Sequence, residues 1–147
     1  EIQPWHLESI LDEKVPVYED FKGKPLLILF FYLGCPGCVG RAIPFANKMV
    51  FEHSGKINVL GIHSNFEGPE YSNGEIIQSL NALHVRFPFF RDLGLATTFF
   101  NYQAGGTPHW ILINKEGIVI RSIFGSDPNR ALLWLDYAIM EELDNSH

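Results

Sequence analysis

Leu26-Leu27-Ile28-Leu29-Phe30-Phe31-Tyr32-Leu33-Gly34-Cys35-Pro36-Gly37-Cys38 is the stretch on which the fold turns. Leu26 to Leu33 is the longest apolar run, eight residues between Pro25 and Gly34. Spanning a bilayer takes about 20 residues, so the run reads as a central strand buried on both faces. After the cysteines, Val39, Ile43, Ala46, Val50 and Phe51 recur at helical spacing, which predicts a helix from Pro36 to about His53. Pro44 inside it has no N–H to give and is expected to kink it. Gly55 ends that helix, and Ile57 to His63 is a second buried strand. Strand, helix, strand implies a right-handed crossover and an α/β fold.

Working toward the N-terminus, Lys22-Gly23-Lys24-Pro25 is a turn signal, with a short edge strand expected over Val15 to Tyr18 before it. Toward the C-terminus, the polar stretch Ser64 to Gly74 is a loop. Ile76, Ile77, Leu80 and Leu83 mark a helix to about His84, Phe87 to Phe90 a strand-like segment, and Leu93 to Tyr102 a short helix. Gly105-Gly106-Thr107-Pro108 then breaks the chain. Trp110 to Ile113 and Ile118 to Phe124, joined by Lys115-Glu116-Gly117, form an antiparallel hairpin. Asp127-Pro128-Asn129 starts a terminal helix with Ala131, Leu132, Leu135, Ala138, Ile139 and Leu143 on one face.

The chain has 147 residues, 46% apolar and 19% charged, which is the composition of a globular domain rather than a disordered chain. At this length a single domain over 1–147 is expected, large enough to fold without staples. Eleven basic against 17 acidic residues leave a net charge of −6 without a basic cluster, so nucleic acid is not an expected partner. The first residue is Glu1 rather than Met, with no leader pattern after it; a signal peptide, an anchor or another preceding segment is expected to have been removed.

The only two cysteines sit in Cys35-Pro36-Gly37-Cys38, after a buried strand and at the start of a helix. Two intervening residues let the sulfurs reach bonding distance when the second lies in the first helical turn. Cys35 then sits where unpaired N–H groups and the helix dipole favour a thiolate, making it the expected nucleophile. Cys38, one turn in, is placed to resolve a mixed disulfide. As a staple, so short a ring restrains the unfolded chain by only roughly 2 kcal/mol. A zinc site lacks its other ligands, and haem attachment needs His where Val39 stands. No metal and no cofactor are expected beyond a redox-active Cys35–Cys38 disulfide.

Two glycines and a Thr-Pro before a strand make Pro108 a candidate cis residue. The strand, Cys-x-x-Cys, helix and distant Thr-Pro before a hairpin together resemble the thioredoxin superfamily over nearly the whole chain. That resemblance implies a central mixed sheet flanked by helices, with Pro108 beside Cys35 and the Thr107 backbone offered to substrate. The Gly23-Lys24-Pro25 approach and the extra segment from about Glu67 to Tyr102, inserted before the cis-proline hairpin, look like the TlpA/ResA branch and the peroxiredoxin-related redoxins (AhpC/TSA). Members of that branch are mostly exported, tethered or periplasmic thiol-disulfide oxidoreductases. The resemblance thus implies exchange with a protein thiol or disulfide, an upstream redox donor or acceptor, a monomer, and an exported location, a cytoplasmic one being the alternative.

The sequence departs from that pattern at instructive places. Thioredoxins carry Trp before the first Cys and a buried acid six positions before it, where this chain has Gly34 and Leu29. Arg41 and Ile43 stand where the TlpA/ResA branch has Glu and Pro. His63, Glu67 and His109 are the candidates for moving the Cys38 proton instead, and Arg41 for favouring a thiolate. Tyr32, Trp110, Phe89 and Phe90 read as core and Trp5 as an edge cover. Competing functions are a non-catalytic thioredoxin-like binding domain, a peroxidase and, lower, copper delivery. The peroxidase reading lacks the Thr or Ser it needs, since Tyr32 and Cys35 occupy the positions three before the two cysteines.

Overall fold

The computed structural model describes residues 2–144. Six strands form one mixed sheet: β1 (Leu7–Glu8), β2 (Leu26–Phe31), β3 (Asn58–His63), β4 (Phe89–Asp92), β5 (His109–Ile113) and β6 (Val119–Phe124), in the order β1-β4-β3-β2-β5-β6. β2, β3 and β4 are parallel, while β5 is antiparallel to β2, β6 to β5 and β1 to β4. β2 is central and buried along its whole length, as its unbroken apolar run predicts.

Alternation along β2 divides the core. Leu27, Leu29 and Phe31 face the layer holding α1 (Ile43–Glu52), α2 (Asn73–Ala82) and α4 (Ala131–Asp144). Leu26, Ile28 and Phe30 face the other layer, where Phe99 of α3 (Thr97–Asn101), Tyr102 and the N-terminal segment close over the sheet. Trp5 covers that layer, its Nε1 donating to Tyr102 Oη at 2.9 Å.

Three boundaries differ from the sequence expectation. The edge strand is Leu7–Glu8, not Val15 to Tyr18: Pro16 lacks an N–H for a ladder, and Asp20 accepts from Val17 N–H at 2.9 Å, winding Tyr18–Phe21 into a 3-10 turn. The helix that begins at Pro36 passes through a π turn, Cys38–Ala42, before α1. Pro44 cannot donate to the carbonyl four residues back, and the turn before it widens so that Ile43 N–H reaches Cys38 O. α2 starts three residues ahead of Ile76, because Ser72 Oγ accepts from Glu75 N–H at 3.1 Å and Glu75 Oε1 from Ser72 N–H at 2.8 Å. Ser72→Ala should lower stability by about 1 kcal/mol in urea denaturation.

Candidate active site

β2 ends at Phe31, and the loop Tyr32–Gly34 delivers Cys35 to the helix start. Cys35 N–H donates to Tyr32 O at 3.0 Å, and the Cys35 carbonyl accepts from Cys38 N–H at 3.0 Å and Val39 N–H at 3.3 Å. Cys35 therefore caps the helix, Pro36 takes the first position, where its missing N–H costs nothing, and Cys38 lies one turn in. Both cysteines are free thiols; Cys35 is partly exposed and Cys38 fully buried.

The Thr107-Pro108 peptide bond is cis. It brings the Thr107 carbonyl to 3.3 Å from Cys35 Sγ, which donates to it. The proline loop is held from behind: Gly125 N–H donates to Pro108 O at 2.9 Å, and Trp110 Nε1 to Gly125 O at 2.9 Å. A Cβ on Gly37 would sit 2.7 Å from Ser126 Oγ and 3.9 Å from Pro108 Cδ. The glycine thus stands where the proline loop and the segment after β6 close on the helix.

Burial pushes the Cys38 thiol well above its ordinary value, and the hydrogen bond to Cys35 adds to the rise. No ionised side chain offsets it. Leu29, at the position where thioredoxins bury an acid, is itself fully buried and apolar. Arg41 is exposed on the π turn and contributes nothing to the Cys38 shift.

The three sequence candidates for proton transfer fall in three different places. His109 shares its face of β5 with Ile111 and Ile113, on the side of the sheet away from Cys38, and its Nε2 pairs with Ser122 Oγ at 2.8 Å. Burial lowers its pKa. His63 lies on the cysteine side of the sheet, but its Nε2 accepts from Leu33 N–H at 3.2 Å and its ring is enclosed by Phe31, Tyr32 and Tyr71. Burial, reinforced by Arg91, holds His63 down to about 4, so at neutral pH it is uncharged and its acceptor is occupied. Glu67 alone of the three shares a cleft with Cys35.

That cleft, about 790 Å³, runs between the loop after β3 and the proline loop, with Phe124 at its end. Tyr32, read from the sequence as core, is buried but forms part of the wall. The sequence reading gives Phe66, Pro69, Tyr71 and Phe124 no role at the site: the first three fall in the loop Ser64 to Gly74 and Phe124 at the end of a hairpin strand. No group of three or more His, Cys, Asp or Glu suited to a metal occurs among the described residues.

Comparison with known proteins agrees with this architecture. A thiol-disulfide isomerase from Corynebacterium glutamicum superposes with a TM-score of 0.85 at 23% identity, over 97% of this chain and 96% of its own. A thioredoxin-like superfamily protein gives 0.81 at 28% identity, over 97% of each chain. The exposed lipoprotein thioredoxin of Streptococcus pneumoniae gives 0.72 at 21% identity, over 91% of this chain and 98% of its own. No curated protein matches the sequence. The fold is thioredoxin-like, a mixed six-stranded sheet flanked by helices. The model of the Redoxin family matches residues 11–137, nearly the whole of that sheet and the cysteine pair within it, and the chain belongs to the Redoxin family.

Proposed function

We propose that the chain is a thiol-disulfide oxidoreductase that exchanges disulfides with a protein partner through Cys35 and Cys38. One observation carries the reading: a partly exposed thiol caps a helix and donates to the carbonyl before a cis-proline, with a second thiol buried one turn behind it. Cys35 thiolate attacks a sulfur of the partner disulfide and one partner thiolate leaves. Cys38 then attacks Cys35 Sγ, releasing the second partner thiol and closing a Cys35–Cys38 disulfide, so two electrons pass to the partner. Thr107 and Pro108 hold the partner's backbone beside the reacting sulfur. A separate redox donor returns the pair to dithiol; the disulfide itself is the only redox group required.

An exported location is the reading that accords with the exposed lipoprotein among the structural relatives, and no helix among the described residues is long and apolar enough to cross a membrane. The test is equilibration of the protein in glutathione buffers of graded potential, with free thiols counted by mass after alkylation. Both thiols should disappear together in one two-electron transition. Two independent oxidations, or glutathionylation of Cys35 without ring closure, would falsify the exchange mechanism.

A further inference from the structure

We propose that a cavity at the pole opposite the cysteines binds a small phosphate monoester. About 440 Å³ in volume, it lies between the approach to β2, the loop after α1, the β5–β6 turn and the end of α4. β2 starts beside it at Leu26 and ends at Phe31 before the cysteine loop, so the length of that strand, roughly 20 Å, separates the two sites. Lys24, Lys56 and Lys115 line the cavity, half of the six lysines in a chain of net charge −6. They come from three separate turns, which is why no basic cluster shows in the sequence. None of them forms an ion pair among the described residues.

The walls select the ligand. Three ammonium groups outweigh the one carboxylate there, Asp144, together with the negative ends of α1 and α4, worth about half a charge each, so the cavity is positive. A phosphate monoester presents three acceptor oxygens, one for each lysine, where a carboxylate presents two. His53 also lines the space, and its Nε2 is closed to solvent without a partner; with the proton on that nitrogen it is a donor the fold leaves unused. A phosphate alone fills a small part of the volume, and Pro25, Met140 and Leu143 give apolar surface to the body of the ester. The turns that carry the lysines are fixed. Lys56 N–H donates to His53 O and Asn58 N–H to Pro25 O, both at 2.9 Å, while Asn114 Oδ1 accepts from Glu116 N–H at 3.0 Å and Ile118 N–H at 2.9 Å. Binding therefore orders only the lysine side chains.

The test is titration of the isotope-labelled protein with phenyl phosphate, benzoate and inorganic phosphate at low salt, read by amide chemical shifts. Phenyl phosphate should bind about tenfold tighter than either of the others, moving Lys24, His53, Lys56, Lys115 and Met140 and leaving Cys35 and Thr107 in place. Lys56→Gln and Lys115→Gln should each weaken it about tenfold, with the redox transition of the cysteine pair unchanged. Lysines that served only the helix ends would shift the urea midpoint on substitution and leave the affinity as it was, which overturns the site. Flotation with phosphatidic acid vesicles, reversed by phenyl phosphate, assigns the ester to a lipid headgroup; protein that stays in solution yet binds phenyl phosphate assigns it to a soluble compound. Equal affinity for benzoate, shifts centred beside Cys35, or no saturation removes the site and leaves the exchange function standing.

Discussion

Cys35→Ser will abolish disulfide exchange, and Cys38→Ser will leave the first attack intact while trapping the partner as a stable mixed disulfide. The asymmetry follows from burial. Cys35 is the thiol that reaches the cleft, and Cys38 is sealed under the helix with its pKa pushed up, so it reacts only with the sulfur directly above it. Mass spectrometry without reductant should find the Cys38→Ser protein carrying one partner per chain, and the Cys35→Ser protein carrying none. Trapping by Cys35→Ser would reverse the assignment. The same high pKa gives the wild type a signature: resolution of the mixed disulfide should quicken about tenfold per pH unit through neutrality, as the thiolate fraction of Cys38 grows. A flat profile would mean that a base acts on Cys38 after all.

The second large effect is on stability. His63 has a folded pKa near 4 against an ordinary 6.5. The fold therefore favours the neutral ring, and its contribution is fully present above pH 6.5, is lost as pH falls toward 4, and levels off below. At 1.36 kcal/mol per unit, the loss is about 3 kcal/mol. Protonation also removes the acceptor for Leu33 N–H, so the loop that carries Cys35 loosens as the core weakens. Two other buried groups bear on the acid response. His109, also lowered, adds to acid loss, while Asp92, raised by burial, works the other way: its contribution is present at low pH and declines as pH rises through its folded value. The difference between wild type and His63→Gln isolates His63, because Gln keeps an acceptor without a charge. Urea denaturation from pH 7 to 4 should show the wild type losing about 3 kcal/mol more than the variant. Parallel curves would remove His63 from the acid response.

The central strand, the cysteine pair at a helix start and the cis-proline hairpin were legible because each is a local pattern: an unbroken apolar run, a spacing, a glycine-proline break. What was not legible is non-local. A two-residue edge strand such as Leu7–Glu8 has no periodicity to read, and only its pairing with β4 makes it a strand. The cleft joins Tyr32, Phe66, Tyr71 and Phe124, residues from three separate segments of the chain that share a surface only once the sheet is assembled. The histidines show the same limit. Alternation places His109 with Ile111 and Ile113, but which face of β5 carries the cysteine helix is decided by packing alone.

Leu29 bears on the fate of each encounter. On the exchange mechanism proposed above, a Cys38 thiol raised by burial in the same core as apolar Leu29 strikes slowly, and the covalent complex persists for as long as that thiol waits. During the wait, a second cysteine on the partner can attack the shared bond from outside and leave with a rearranged pairing. The apolar residue under the helix thus sets a clock, and whether a client departs reduced or reshuffled depends on which thiol, the protein's or its own, is quicker.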